Sequence, residues 1–569
     1  MNFACNYKKG MFLLLLLAGI HVSAQVLPDS TLKKIDKIFA KWNTASSPGF
    51  TVGIVRNDSL IYSKGFGMAN LEYAVPNSPT TVYHMASISK QITAYCILLL
   101  AKQGKLKLDD DVRKYLSWFP DLKEKITIRH LLNHTSGIRD QWILVNLSGT
   151  RSDDVITQDH IIKLLSRQQR LNFKPGEEFS YSNSNFTMLA EIVKSISGKS
   201  FRQFADSAIF KPLGMTNTHI HDDHTEIVAN RAYSYRVAVN TGNSNGNTNF
   251  TNAVLSYANA GATSLFTNVP DMSKWIINFY APIVGDNKDI AELTRNGILN
   301  NRKQIPYASG IIVDEYKGLK QYSHGGADAG FRTFITVFPS EKMGFIVFSN
   351  FADGNPASKA YELVDEVLKD ALLKDVSGNK IKLDSSLAML KDTTSLKDFV
   401  GDYISDAGLR FSFNIQGQKL YWKSPVSTFL LAQADKDTFV TFNNPPSKFV
   451  FTKSTDETIV DQYWPDNHRL LKKYTPGTTD PRELDKLLKE YEGIYYSPEV
   501  DNKFTILLKD HQLILSNNKS PDAKLTFITR DIFTLGGFMF NVKRNKKNKI
   551  LGLDLDSDRV KHLAYKKIE

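Results

Sequence analysis

The spacing Ser-x-x-Lys occurs at Ser30/Lys33, Ser87/Lys90, Ser377/Lys380 and Ser516/Lys519. A serine hydroxyl is not ionised at neutral pH and becomes a nucleophile only when a base takes its proton. A lysine one helical turn away can be that base if apolar neighbours strip water from its amine and lower its pKa. Ser30 starts an amphipathic helix, and Ser377 and Ser516 fall in Gly/Asn-rich turns. Ser87 alone follows an extended stretch and opens a long apolar helix, in which Ile92, Ala94, Tyr95, Ile97, Leu98, Leu99 and Leu100 supply such neighbours. Ser87 is therefore the candidate nucleophile and Lys90 its base.

Two more stretches bear groups that could complete a site. Phe173-Lys-Pro-Gly-Glu-Glu-Phe-Ser-Tyr181-Ser-Asn183 leads into an amphipathic helix predicted over 186–197, which puts Tyr181 and Asn183 on the entering loop. A phenol beside a lysine is expected to have its pKa lowered and so to move protons, and an amide can orient both lysine and substrate. Tyr257-Ala-Asn259 repeats the spacing without the Pro-Gly lead or the following helix and ranks below it. Tyr322-Ser-His324-Gly325-Gly326-Ala327 precedes a strand predicted over 331–338. Glycines there let a substrate lie against the strand, and the next backbone N–H can donate to an oxyanion, although His-Gly-Gly alone reads as a turn. A rival pattern, His219-Ile-His221-Asp-Asp223-His224, has the ligand types of a hydrolytic zinc site. Further ligands should follow it, yet the next histidines are His324 and His468. It reads as a polar surface segment, and neither a metal nor any other cofactor is assigned.

These residues need a scaffold. Apolar periodicity predicts a helix from Asp29 (Leu32, Ile35, Ile38, Phe39, Trp42), then strands over 50–56 and 60–66 joined as a hairpin at Asn57-Asp58. Helices dominate to about residue 280. Strands follow over 308–313, 321–324, 331–338 and 343–349, with a closing helix over 356–374. The pattern predicts an α/β (α+β) domain whose antiparallel sheet joins the first hairpin to the late strands, with a helical region inserted. Beyond it the chain repeats itself. Leu396-Lys-Asp-Phe-Val-Gly401-Asp-Tyr403 returns as Leu488-Lys-Glu-Tyr-Glu-Gly493-Ile-Tyr495, a displacement of 92 residues. Each copy alternates like short strands, and closure into a small antiparallel β-barrel is the usual way to remove the edges. The expected division is a signal peptide (1–24), the α/β domain (25–375), a linker (376–392), one barrel (393–475), a second linker (476–483) and a second barrel (484–569).

The first 24 residues are expected to leave. Lys8 and Lys9 precede an apolar core from Met11 to Ile20 and a small-residue cleavage site, Val22-Ser23-Ala24. The core is too short to span as a mature helix, and no later stretch approaches that length, so no transmembrane anchor is expected after cleavage. The protein is expected to be exported, periplasmic or secreted, in a bacterium. Removing 1–24 takes two lysines and no acid, lowering the formal charge from +12 to +10. Export argues against nucleic acid as a partner despite that charge, and the cluster Lys543, Arg544, Lys546, Lys547, Lys549 reads as a solvated loop. Cys96 would remain as the one cysteine, which excludes an internal disulfide and a Cys-ligated zinc.

Taken together, the three ordered motifs resemble the serine β-lactamase/penicillin-binding family, nearest its class C, D-aminopeptidase and esterase branch. The resemblance covers roughly residues 30–375 and is supported by Ile128-Arg-His-Leu-Leu-Asn-His-Thr-Ser-Gly137, Pro212-Leu-Gly-Met215 and Asn259-Ala-Gly-Ala-Thr-Ser264. It implies acylation of Ser87, general acid–base work shared by Lys90 and Tyr181, positioning by Asn183, and an oxyanion hole from the N–H groups of Ser87 and Ala327. His324, Gly325, Gly326 and Ala327 would then line the substrate. His324 departs from the pattern, because lactamases and transpeptidases have a lysine there, and a mostly uncharged histidine argues against efficient antibiotic hydrolysis. The expected activity is a peptidase on D-amino-acid-containing or short peptides, cell-wall fragments among them. Alternatives are a carboxylesterase, a weak β-lactamase or, in another class, a catalytically silent peptidoglycan-binding or sensor protein.

Overall fold

The computed structural model describes residues 27–569 except 152, 239–248, 373–395, 425–426, 442–446, 455–456, 465–466, 478–479 and 518–519. The expected signal peptide, the linker over 376–392, the Ser377/Lys380 pair and Lys519 lie outside the described residues.

Helix α1 (Asp29–Phe39) buries Ile35 and Phe39, one turn apart on its apolar stripe. Strands β1 (Phe50–Arg56) and β2 (Ser59–Phe66) form the expected hairpin, with Asn57 in the left-handed region at φ 53°. Far along the chain come β3 (Ile312–Tyr316), β4 (Leu319–Asp328), β5 (Phe331–Phe338) and β6 (Met343–Ser349). The sheet order is β3-β4-β5-β6-β1-β2, antiparallel throughout, so Phe50 of the first hairpin pairs with Ser349. This is the predicted joining of early and late strands. Helix α1 and the closing helix (Pro356–Val367) cover one face, where Phe39, Phe50, Val52, Phe345, Val347, Leu363 and Val364 form a core. The closing helix stops seven residues short of the prediction.

On the other face lies α2 (Ser89–Lys102), buried at every position from Ser89 to Leu100. A helix that is apolar all round belongs in the interior. The helical region includes α3 (Gln141–Leu147) and α4 (Asn183–Ser197), the latter ended by Gly198 in the left-handed conformation.

One predicted boundary differs at the glycines. Strand β4 does not end at His324 but continues to Asp328, pairing Gly325 with Phe334, Gly326 with Thr333 and Ala327 with Arg332. A Cβ on Gly326 would lie 2.3 Å from the Met85 carbonyl oxygen, so glycine here admits the backbone of the Ser87 turn against a strand instead of making a turn of its own. The first predicted late strand begins later, at Ile312.

The repeat is plain in three dimensions. Gly401 (φ 139°) and Gly493 (φ 144°) each start a first strand. Tyr403 donates to the Phe399 carbonyl at 3.0 Å, and its counterpart Tyr495 donates to the Tyr491 carbonyl at 2.8 Å. Strands from Gly401 to Tyr474 close into an eight-stranded barrel. The second copy, from Gly493 to Lys567, is a nine-stranded sheet whose edges are Ser520–Lys524 and Thr526–Thr529. It curls as predicted but is left unlatched, its two edge strands following each other in sequence and a bulge between Leu515 and Asn517 disturbing one of them. Its core runs on into that of the α/β unit, with Leu144, Val145, Tyr495, Val560 and Leu563 in one apolar cluster, whereas the first barrel has a core of its own.

Candidate active site

Ser87 sits in a 3₁₀ turn, Ala86–Ile88, directly ahead of α2. Ala86 adopts φ 49°, a left-handed conformation that costs a non-glycine residue about 1–3 kcal/mol and turns the chain sharply before the serine. Thr333 of β5 donates to the Met85 carbonyl at 2.9 Å, tying this turn to the sheet.

Lys90 lies one turn into α2 with no exposed surface. Its Nζ is 3.0 Å from Ser87 Oγ, 2.8 Å from Asn183 Oδ1 and 2.8 Å from the Ala262 carbonyl. Burial pulls its pKa down from 10.5 to about 7; Asp328 and Asp140 oppose that and Arg559 reinforces it. Three protons on the charged amine match three acceptors. In the neutral amine two N–H groups can serve Asn183 and Ala262 while the lone pair faces the serine hydroxyl.

Tyr181 lies on the loop before α4 and lines the cleft beside Ser87, with Lys90 Nζ 4.9 Å from its ring centre. The sequence suggested a lowered phenol pKa. Burial instead pushes it well up, because desolvation penalises phenolate more than the nearby Ser87 hydroxyl and the Arg559 charge help it. Asn183 opens α4 and is fixed by Asp140, whose Oδ2 accepts from its backbone N–H at 2.7 Å and its Nδ2 at 2.8 Å. Asp140 also caps α3 through the Trp142 N–H at 2.9 Å.

His324 stands behind the cleft, 4% exposed. Burial, then the Lys90 charge, lowers its pKa to about 4, so it is neutral at pH 7. Its Nδ1 pairs with the Gly325 carbonyl at 2.6 Å and its Nε2 with the Tyr307 hydroxyl at 3.0 Å. Gly325, Gly326 and Ala327 do border the cavity, a cleft of about 680 Å³ that Ser87, Trp142, Tyr181 and Asn183 also line. That volume is ordinary for a small-molecule or short-peptide site.

Three participants escaped the sequence reading. His134, in the Asn-His-Thr-Ser-Gly137 phrase, packs against Tyr181 with ring centres 4.3 Å apart and accepts from the Ser182 N–H at 3.2 Å, holding the tyrosine loop in place. Asp140 could have been suspected as a helix N-cap before Gln141-Trp142. Arg559 had no sequence signal, since it enters the cleft from the second β unit.

The zinc-like pattern is brought together differently from its sequence order. His219, His221 and Glu226 place ligand atoms within 4.8 Å of one another, and His224 is not among them. Both Glu226 oxygens are held by Arg202, at 2.6 and 2.7 Å. His219 of this group sits on the far strand of a three-stranded ribbon in which Leu265–Thr267 separates His219–Ile220 from Tyr83–His84, and His221 and Glu226 follow that strand. Cys96 is buried in α2, where its thiol pKa is pushed up.

A family model described as Beta-lactamase matches residues 35–369, more than half of the chain. Protein flp of Staphylococcus aureus (strain N315) is 28% identical over 335 residues, covering 57% of this chain and 64% of that protein. A D-aminopeptidase of Brucella canis is 28% identical over 322 residues, covering 56% and 60%. The chain thus spans less than two thirds of the length of either relative. Among solved structures, an octameric penicillin-binding protein homologue from Pyrococcus abyssi shares the fold with a TM-score of 0.53 and 23% identity, over 78% of this chain and 99% of that one. A D-amino acid amidase from Ochrobactrum anthropi SV3 does so with a TM-score of 0.51 and 19% identity, over 60% and 99%.

Proposed function

Because the chain belongs to the Beta-lactamase family, we propose that it is an exported serine hydrolase cutting amide or ester bonds through an acyl-enzyme on Ser87, with short peptides containing D-amino acids as its substrates. The observation behind this reading is the Lys90 amine, buried, lowered to about 7 and 3.0 Å from Ser87 Oγ. Near neutral pH the amine is therefore able to lose its proton and take that of the serine as Ser87 Oγ attacks the carbonyl carbon. The N–H groups of Ser87 and Ala327 serve the oxyanion that forms. Tyr181, its pKa raised, acts as a neutral hydroxyl that passes the proton from Lys90 to the departing group, not as a phenolate base. In the second half Lys90 draws a proton from water, which attacks the acyl carbon, and returns that proton to Ser87 Oγ as the acyl–oxygen bond breaks and Ser87 is freed.

A neutral His324 does not supply the fixed charge that a lysine would place at that position. The relative named D-aminopeptidase supports D-aminoacyl substrates. The leader over 1–24 supports export; among the described residues no helix is long and apolar enough to cross a membrane. The chain divides into the hydrolase unit and two β modules at the boundaries given above. The test is a screen of the purified protein against D-aminoacyl amides, their L-enantiomers, short-chain esters and a chromogenic cephalosporin. D-aminoacyl amides should be turned over best; cephalosporin as the best substrate would overturn the substrate assignment.

A further inference from the structure

One wall of the cleft comes from the end of the chain. In the second β unit, strands Ile550–Asp556 and Leu563–Lys567 are joined by a turn at 557–562 that reaches the hydrolase cavity. The turn is closed on itself, Ser557 N–H to the Val560 carbonyl at 2.7 Å and Val560 N–H to Ser557 Oγ at 3.1 Å, with Val560 fully buried. It is also pinned from the α/β side. The Arg559 carbonyl accepts from the Asp140 N–H at 3.1 Å and Asn172 Nδ2 at 2.9 Å, and the Lys561 N–H donates to Asn172 Oδ1 at 2.7 Å. The Arg139 guanidinium donates to the carbonyls of Lys561 and His562 at 3.0 and 2.9 Å and pairs with Glu499 at 2.6 Å, both side chains buried. Asp140, which fixes Asn183, therefore also fixes the backbone of Arg559. From this anchored position the Arg559 guanidinium carbon lies 5.4 Å from the centre of the Tyr181 ring.

We propose that Arg559 is a specificity-determining residue that the second β unit supplies to the hydrolase cleft, binding a carboxylate on the leaving-group side of the substrate. This rests on the acyl-enzyme reading above. Four charged side chains line the cavity: Asp328, Arg332, Asp353 and Arg559. Asp328 is engaged by His84 at 2.9 Å and by Thr263. Arg332 donates to the carbonyls of Ala329 and Phe331 at 3.1 and 2.7 Å. Behind the wall, Lys90 is committed to its three partners, and His324 is neutral. Arg559 pairs through Nε with Asp558 at 3.6 Å, and the two side chains are 39% and 62% exposed, so this contact is weak and engages only one edge of the guanidinium. Its planar fork matches a carboxylate with two parallel hydrogen bonds. Tyr181 hands its proton to the departing nitrogen, so a cation over the Tyr181 ring stands beside the leaving group. In a departing amino acid the carboxyl carbon is two bonds, about 2.5 Å, from that nitrogen. The substrate class is thus a short peptide cut at its last bond, releasing an amino acid with a free α-carboxylate.

The test compares D-alanyl-glycine with D-alanyl-glycinamide, which differ only in that charge, using full-length wild type, Arg559→Gln, Arg559→Lys and Arg559→Glu. In wild type kcat/KM should favour the free acid. Arg559→Gln should lower the acid-to-amide ratio about ten- to a hundredfold, chiefly through KM, Arg559→Lys should restore part of it, and Arg559→Glu should invert the preference. An unchanged ratio in Arg559→Gln while a fluorophosphonate still labels Ser87 overturns this proposal alone. Failure of the wild type to label overturns the acyl-enzyme reading and this proposal with it.

Discussion

Replacing Lys90 with methionine isolates the effect that the proposed chemistry depends on. The folded chain holds the Lys90 amine at a pKa of about 7, whereas the unfolded chain holds it near 10.5. Below pH 7 both states are protonated and the full penalty of burying the cation weighs on the fold. Between pH 7 and 10.5 the unfolded chain keeps the proton and the folded chain has released it, so stability rises with pH across that window. Each pH unit is worth about 1.4 kcal/mol, which gives the wild type a gain of about 2–3 kcal/mol over Lys90→Met from pH 7 to pH 9. Methionine also strands the acceptors Asn183 Oδ1 and the Ala262 carbonyl, but that cost is the same at every pH and drops out of the slope. Urea unfolding at pH 7, 8 and 9, followed by tryptophan fluorescence, measures it; Trp275, 1% exposed, reports the core beside α2. A wild type-minus-variant difference that stays flat from pH 7 to 9 would refute the lowered amine and, with it, Lys90 as the base.

Tyr181→Phe should reduce kcat about 10²–10⁴-fold without loss of fold, the usual worth of a positioned proton carrier, and near-full activity would remove the phenol from the mechanism. Arg139→Ala leaves Glu499, 2% exposed, without its cation and should destabilise the protein by about 3–5 kcal/mol in thermal or urea unfolding; wild-type stability would mean that the second β unit is not held through this pair. Chelator should leave hydrolysis unchanged, because the base is an amine and both oxygens of Glu226 are bound by Arg202. His221→Ala should cost about 1–3 kcal/mol of stability, since His221 is buried against Phe266 with ring centres 4.5 Å apart. Activity lost to chelator and restored by zinc would contradict this account.

What the sequence made legible was local. The Ser87/Lys90 pair, the Tyr181/Asn183 loop and the strands Phe331–Phe338 and Met343–Ser349 each follow from residues a few positions apart. The 92-residue repeat showed itself because two copies constrain each other, as in the paired Tyr403 and Tyr495. What stayed hidden depends on distant partners. Gly325-Gly326 reads as a turn until the Met85 carbonyl is known to press on it from 241 positions earlier, measured from Gly326. The sign of the Tyr181 shift is set by burial, which no neighbour in sequence reveals. Arg559 lies 378 positions beyond Tyr181 and belongs to no motif. The zinc-like run suggested His224 where the fold supplies Glu226, because the chain leaves the strand after Ile220 and turns Glu226 back toward it.

The most direct measurement is intact-protein and peptide mass spectrometry after treatment with a fluorophosphonate and, separately, with a slow D-aminoacyl ester. The account predicts one adduct per chain, on Ser87, whose formation rate rises with pH through about 7 and levels above it, and no adduct in Ser87→Ala. Labelling that persists in Ser87→Ala, or turnover by a wild type that never acquires an adduct at Ser87, would contradict it.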